Sequence, residues 1–234
     1  MTASPATTGS TQEAVLVGLA GAGLAALAGS VVGLAVPAAL AGGANGAISG
    51  FRRVYDWSSL KGVGAFALDS TWAIANTAAG LAAHGLGAAR GQPGYVAALS
   101  ERLNRHVYRR GFQPRKGFAI TLGNVISGAG DVDKPRRVKL VTDHEDVHVW
   151  QARALGPLYP MLYVGWMAGG AAIGAVAWLT VLRDERFAKV VESLAYYANP
   201  LEWWAYSRDD HWPPSAMVAG LGPKRPVVAA FVRR

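Results

Sequence analysis

The sequence predicts a mainly α-helical fold, with membrane-associated helices and a small antiparallel β-hairpin. Hydrophobic residues make up 51% of its 234 residues and charged residues only 16%, whereas ordinary soluble domains carry about 25% charged residues. Two apolar runs are long enough to span a bilayer, which takes roughly 20 residues. Strand-like patterns are convincing only in "GFAITLGNVIS" (117–127) and "RRVKLV" (136–141), which we expect to pair through the turn-rich "GAGDVDKP".

The first apolar run, residues 14–50, is expected to be a membrane segment. It follows residues 1–13, a polar segment that is predicted to be disordered. The run contains no charged residue up to Ile48. Pro37 and the "AGGANG" that follows it favour a helical hairpin. The alternative is a single span that ends near Val36, followed by a helix of small residues.

A glycine zipper lies at the end of this run. Gly42, Gly46 and Gly50 recur every four residues, the spacing that lets the backbones of two membrane helices touch. Two interpretations stay open. Either the glycines pack against another helix of the same chain, or they join two copies of the protein in a homo-oligomer.

Positive charge follows the first apolar run and is absent before it. The net charge is +8, yet none of the 23 Lys and Arg residues precedes Arg52. Because a secretory signal begins with a positively charged region, we expect the run to be retained in the membrane. The positive-inside rule then places the basic remainder in the cytoplasm. The bias towards Ala, Gly and Arg indicates a bacterial protein, and hence the inner membrane.

The remainder, residues 51–234, is predicted to be a helical domain with two further apolar segments. Residues 160–182 are the second membrane candidate. Residues 62–89 are interrupted by polar side chains, which indicates helices packed against protein rather than lipid. Residues 95–110 predict a basic amphipathic helix that binds anionic lipid. Nucleic acid is not expected as a partner, because no aromatic stacking platform accompanies these charges. The polar residues within 62–89 are Asp69, Asn76 and His84.

The stretch "TDHEDVHVWQ" contains the pattern HExxH. If Thr142 or Asp143 caps a helix there, His144 and His148 lie one turn apart on one face. Two imidazoles at this spacing chelate one Zn²⁺, and Glu145 between them serves as general base for the bound water. The chain has no cysteine, so thiolate sites are excluded. The alternative is a pair of surface histidines beside a solvated glutamate.

A catalytic zinc usually has three protein ligands. Metzincins supply a third His six residues after the second, and Ala154 occupies that position here, which excludes this class. Gluzincins use a Glu from a later helix, often with Ala three residues on. Glu202 and Glu192 both have that Ala, and the Asn-Pro helix start favours Glu202. A first-turn glutamate stabilised by the helix dipole is the other interpretation of Glu202.

The stretches "HEDVHVWQARALGPLYPMLY" and "NPLEWWAY" resemble a group of poorly characterised bacterial membrane-associated HExxH proteins, which are gluzincin-like zinc metallopeptidases in type. The similarity runs from Gly117 to Tyr206 and includes the "TLGNVI" strand. It implies a zincin-like arrangement around a zinc ion. The residues that it assigns are His144, His148 and Glu202 as ligands and Glu145 as general base.

The activity expected from this site is hydrolysis of a peptide or protein substrate. Zinc lowers the pKa of its bound water, and Glu145 takes the proton and later delivers it to the leaving amine. Tyr206 or His211 is expected to hydrogen-bond the oxyanion. Gln151 is expected to support a ligand, and the hairpin strands to align an extended peptide by edge pairing. The competing hypothesis is a non-catalytic scaffold that assembles through the glycine zipper, with a structural metal or none.

The segment 160–182 constrains this site. If it crossed the bilayer once, the two histidines and Glu202 would lie on opposite sides and would not share a metal. Basic residues on both sides of the segment favour a solution that does not cross. We expect either a re-entrant hairpin broken near Gly169–Gly170, or a helix that is buried or lies on the membrane surface. The remaining alternative is that Glu202 is not a ligand.

Overall fold

The computed structural model describes residues 10–91, 94–113, 115 and 117–209, which are mainly helical with one small mixed sheet. At this level the predicted fold class is confirmed. The helices are α1 (Thr11–Ser30), α2 (Ala35–Phe51), α3 (Leu60–Ser70), α4 (Ile74–Ala89), α5 (Pro135–Lys139), α6 (Asp146–Leu155), α7 (Leu158–Thr180), α8 (Phe187–Glu192) and α9 (Pro200–Asp209). The strands are β1 (His106–Tyr108), β2 (Ile120–Leu122) and β3 (Val125–Ser127). Shorter turns are a 3-10 turn, Ala97–Leu99, and two π-helical turns, Leu140–Glu145 and Ser193–Tyr197.

The first apolar run forms an antiparallel helical hairpin, α1–α2. The zipper glycines of α2 pack against the backbone of α1. A Cβ on Gly46 would lie 2.3 Å from the carbonyl oxygen of Val17, and one on Gly50 would lie 2.5 Å from that of Glu13. Only glycine permits this approach. The zipper therefore operates within the chain, and a homo-oligomer through Gly42, Gly46 and Gly50 would require the two helices to separate.

The open end of this hairpin is tied to the rest of the protein. Ser10 Oγ accepts a hydrogen bond from the backbone N–H of Glu13 (3.1 Å) and caps α1. Residues 11–13 are consequently helical, so the prediction of disorder is wrong for them, and residues 1–9 lie outside the described residues. The carboxylate of Glu13 also pairs with Arg102 at 2.7 Å.

Two of the polar residues of segment 62–89, Asp69 and Asn76, are buried in protein, and His84 is half-buried. Asp69, in α3, accepts hydrogen bonds from Nε and Nη2 of Arg153, both at 2.8 Å. Asn76, in α4, donates to the carbonyl oxygen of Ala152 at 3.0 Å. Both partners belong to α6, so α3 and α4 hold the helix that carries the second half of the HExxH motif.

The basic amphipathic helix predicted over residues 95–110 is absent, and this prediction is wrong. The segment contains the 3-10 turn and β1, and Arg102 and Asn104 adopt φ values of 55° and 59°, which break a right-handed helix. Arg105 is buried and pairs with Asp146 at 2.5 Å. Long-range pairing thus overrides the local helical pattern, and the basic helix face on which the lipid-binding prediction depended does not form.

The β-hairpin lies entirely within residues 117–127. β2 and β3 pair in antiparallel fashion across the turn at Gly123 and Asn124, and β1 adds in parallel to β3. The strand order is β1-β3-β2. A Cβ on Gly123 would lie 2.3 Å from the carbonyl oxygen of Asn76, and its φ is +56°, so glycine is required at this turn.

The second predicted strand, residues 136–141, is helical, and the pairing predicted for it is wrong. Pro135 occupies the start of α5, a position that proline favours because it needs no N–H partner. The helix then continues through the π turn into α6. Because the chain is already helical at Thr142 and Asp143, neither residue caps a helix as predicted.

The second long apolar segment forms one continuous helix, α7, which rules out the break at Gly169–Gly170, one of the alternatives expected for it. The chain nevertheless returns, because α8 and the following π turn run back along α7. A Cβ on Gly170 would lie 2.4 Å from the carbonyl oxygen of Leu194, and one on Gly174 2.9 Å from the Cα of Val191. Glu202 therefore lies near the N-terminal end of α7, which directly follows the helix that carries His148.

Within the described residues, α1 and α7 are long and apolar enough to cross a membrane. In the most apolar 18-residue stretch of each helix, only 11% of the stretch is buried in α7 and 28% in α1. Side chains such as Leu27 (72% exposed) and Val164 (63% exposed) face outwards. The core helix of a soluble protein would bury these side chains.

We expect Gly46→Ala to destabilise the α1–α2 hairpin, because the new methyl group meets the backbone of α1. Gly23→Ala is the matched control, since it lies in α1 with open space around its Cβ. Relative to this control, overpacking should lower the free energy of unfolding by about 1–3 kcal/mol, measured by thermal unfolding in detergent. Equal stabilities of the two variants would contradict the observed packing.

Candidate metal centre

The HExxH motif lies where the π-helical turn Leu140–Glu145 passes into α6. Such π turns are frequent at functional sites. Val141 and Val149 are completely buried and belong to a hydrophobic cluster that includes residues of the sheet. These two anchors bracket the motif and fix the positions of His144 and His148, which are 3% and 5% exposed.

The third member of the site is delivered by the start of α9. Asn199 Oδ1 accepts a hydrogen bond from the backbone N–H of Leu201 (3.0 Å), and Pro200 is the first helical residue. Glu202 therefore lies in the first turn. Its side chain points into the protein and is only 1% exposed, so it is not a solvated glutamate at a helix end.

His144, His148 and Glu202 offer three ligand atoms that all lie within 4.8 Å of one another. Nε2 of His144 is 3.5 Å from Oε2 of Glu202, and Nε2 of His148 is 3.4 Å from Oε1. Two ligands of a tetrahedral zinc ion, at bond lengths of about 2.0–2.1 Å, lie about 3.3–3.4 Å apart. The buried Oε2 has no hydrogen-bond partner among the described residues, as expected for an atom that binds a metal.

The electrostatics of the cluster favour a bound cation. Burial raises the pKa of the Glu202 carboxyl, but the charges and hydrogen bonds of His148 and His144 together outweigh burial and hold this pKa well below its usual range. Burial lowers the pKa of His148, and the Glu202 carboxylate more than offsets it, which raises the pKa to about 9. The metal-free cluster is thus a buried ion pair, with a proton where a metal ion would bind.

A second layer of side chains orients the ligands. Nδ1 of His148 donates to Oε1 of Gln151 (2.9 Å), while Nε2 of Gln151 donates to the carbonyl oxygen of Leu201 (2.9 Å). This arrangement leaves Nε2 of His148 to face the carboxylate. The hydroxyl of Tyr163 donates to Oε1 of Glu202 at 2.6 Å. Gln151 therefore has the supporting position predicted for it.

Glu145 lies beside the cluster at a cavity of about 510 Å³. Thr121 Oγ1 donates to Oε2 of Glu145 at 2.7 Å. Thr121 is the central residue of β2, so the edge strand of the sheet holds the carboxylate in place. His148 and Glu202, two members of the candidate metal cluster, line the same cavity, so a molecule that enters it can reach them.

The remaining predicted residues have different positions. The Tyr206 ring packs against the ring of His144, with centroids 4.4 Å apart, and Tyr206 is not among the residues that line the cavity. His211 lies outside the described residues. The rival ligand Glu192 lines the cavity but pairs with Arg115 at 3.2 Å, and it does not belong to the cluster.

Sequence reasoning missed three residues of the site: Thr121, Tyr159 and Tyr163. The hydroxyl of Tyr159 lies 3.4 Å from Nδ1 of His148 and lines the cavity. The two tyrosines are four residues apart in "LYPMLY", a spacing that puts them on one face of a helix. That signal was available in the sequence. The contact of Thr121 with Glu145 was not, because it joins residues 24 positions apart.

Comparison of the chain with protein-family models, with curated proteins and with solved structures gives no match. The resemblance to membrane-associated HExxH proteins stays a prediction. The support for a metal site therefore comes from the geometry of the cluster and not from a related protein.

We expect Gln151→Leu to weaken zinc binding about tenfold to hundredfold, because His148 loses the hydrogen bond that orients it. Gln151→Glu keeps the oxygen that accepts from His148 but loses the N–H donated to the carbonyl oxygen of Leu201, so it should weaken binding less than Gln151→Leu. Competition with a chelating dye measures both variants against the wild type. Equal affinities of Gln151→Leu and the wild type would contradict the supporting role.

We also expect zinc affinity to depend on pH. Since the pKa of His148 in the metal-free protein is about 9, the imidazole is protonated at neutral pH and must lose that proton to bind a metal. Affinity should rise about tenfold per pH unit from about pH 7 and level off near the pKa. Chelator-buffered titrations measure this slope, and a flat profile would mean that no proton is displaced.

Proposed function

We propose that the protein is a membrane-associated zinc peptidase. The observation that carries the proposal is the buried triangle of His144, His148 and Glu202, with Glu145 held beside it at an accessible cavity. Two imidazoles and one carboxylate are a ligand set used by catalytic zinc, which keeps its fourth position for water. Hydrolysis of a peptide bond is the reaction class that this set supports best.

The chain's own residues then divide the chemistry. When bound, zinc supplies a Lewis acid and a water of lowered pKa. Glu145 takes the proton of the attacking water and returns it to the leaving amine, and Thr121 keeps its carboxylate directed at the cavity. Tyr159 is better placed than Tyr206 to hydrogen-bond the oxyanion, because Tyr159 lines the cavity and Tyr206 does not.

The outer edge of β2, which pairs with no other strand among the described residues, supports binding of an extended peptide. β2 is an edge strand of the sheet, and Ile120, Thr121 and Leu122 all line the cavity. In the antiparallel register with β3, Leu122 pairs with Val125 across the turn, so the backbone groups of Thr121 point away from β3. A peptide lying in the cavity can pair with them.

The proposed location is the cytoplasmic face of a bacterial inner membrane. The apolar helices α1 and α7 support membrane insertion, and the Lys and Arg residues that follow Arg52 support the cytoplasmic side.

The scaffold hypothesis has lost its main support, since the zipper glycines pack within the chain.

We expect Glu145→Gln to keep its zinc but to lose peptidase activity by a factor of about 10²–10⁴, because the general base is removed. Glu185→Gln, at the distal end of α7, is the matched control and should retain activity. Cleavage is measured by mass spectrometry on a mixed peptide library. Activity that survives in Glu145→Gln would contradict the mechanism, and an inactive wild type with zinc bound would contradict the function.

A further inference from the structure

The cavity beside the metal centre is lined mainly by apolar side chains. Its walls come from the strand side and from α7. Its large apolar lining residues include Phe118, Ile120, Leu122, Val164 and Met167. A cavity of about 510 Å³ accommodates several residues of an extended peptide, within the usual range of ligand sites.

Away from the metal centre, the charges in this cavity are already paired. Apart from Glu145, His148 and Glu202 at the metal centre, the charged side chains among the described lining residues are Arg115 and Glu192. These two pair with each other at 3.2 Å. A charged substrate side chain would therefore lose its hydration without gaining a free counter-charge, which costs free energy. Apolar side chains meet no such penalty.

The cavity also runs along the membrane-candidate helix. Tyr159, Tyr163 and Met167 line it over two turns of α7, which corresponds to about 12 Å at 1.5 Å per residue. Val164 lines the cavity and is nevertheless 63% exposed. The cavity wall thus merges with the outer apolar surface of α7, and a chain segment can enter from the side of this helix.

We propose that the occupant of this cavity is an apolar, extended segment of a membrane-anchored polypeptide, which enters beside α7 and pairs with β2. The inference rests on the proposed function and specifies its substrate class. Pairing with the edge of β2 requires an extended backbone. The apolar wall and the neutralised charges select large apolar side chains over polar ones.

The test uses two membrane-anchored peptide probes in phosphatidylglycerol-containing vesicles. Both carry the same membrane-spanning helix and a photoreactive group. The juxtamembrane stretch contains Leu and Phe in one probe, and Asn and Gln at the same positions in the other. The full-length, zinc-loaded Glu145→Gln protein is crosslinked to each probe. We expect the apolar probe to crosslink at least about tenfold better than the polar one, at β2 or the first half of α7.

Two methionines of α7 give a matched pair of variants in the Glu145→Gln background. Met167 lines the cavity, whereas Met161 is 69% exposed and lies in a separate depression. Met167→Glu should lower crosslinking of the apolar probe about tenfold or more, because it places a charge in the apolar wall. Met161→Glu should leave the yield within about twofold of the parent, since the residue is outside the cavity.

The outcomes separate this inference from the proposed function. Equal crosslinking of the two probes, equal effects of the two methionine variants, or no crosslinking at all would overturn the apolar-segment inference. If the apolar probe crosslinks as expected but the wild type with zinc does not cleave it, the peptidase function fails while the binding site stands. Cleavage of both probes at equal rates would retain the peptidase and refute the substrate class.

Discussion

The buried ion pair between Asp69 and Arg153 is the interaction on which the site depends. Both side chains are 2% exposed, and both oxygens of Asp69 accept from the guanidinium at 2.8 Å. Tyr55 adds a hydrogen bond to the same carboxylate at 2.9 Å. Breaking a buried pair costs about 3–5 kcal/mol. Arg153 lies five residues beyond His148, about 140° around α6 at 100° per residue. The ion pair and the Gln151 contact therefore fix the rotation of α6 from two sides.

The parts of the site that the sequence predicts are those encoded at fixed spacing. The two histidines of HExxH come together as soon as one helix forms. The Asn-Pro pair before Glu202 marks the start of the helix that carries the third candidate ligand. The failure at 136–141 is local, because Pro135 at the first helical position favours a helix over the predicted strand. The failure at 95–110 is long-range, because the pairing of β1 with β3 and of Arg105 with Asp146 overrides the local helical pattern. Thr121 shows the same limit, because its role becomes visible only when β2 lies beside the HExxH turn.

Because α8 runs back along α7, Glu202 can reach the two histidines even though the long apolar helix α7 lies between them in the sequence. A single crossing would separate Glu202 from the histidines, but Gly170 and Gly174 allow the chain to pack closely as it runs back. The α1–α2 hairpin has the same design, with Gly42, Gly46 and Gly50 packed against the backbone of α1. In both hairpins the open ends lie at the folded part of the protein. The tip of α1–α2 is apolar, with Val31 85% exposed.

The most direct test of the account is the zinc content of the purified protein, compared with Glu202→Ala and Glu192→Ala. The two variants remove carboxylates that both border the cavity, but only Glu202 belongs to the cluster. We expect about one zinc per chain in the wild type and in Glu192→Ala, and none in Glu202→Ala. A wild type that binds no zinc after reconstitution, or a Glu202→Ala variant that retains it, would contradict the proposed metal centre.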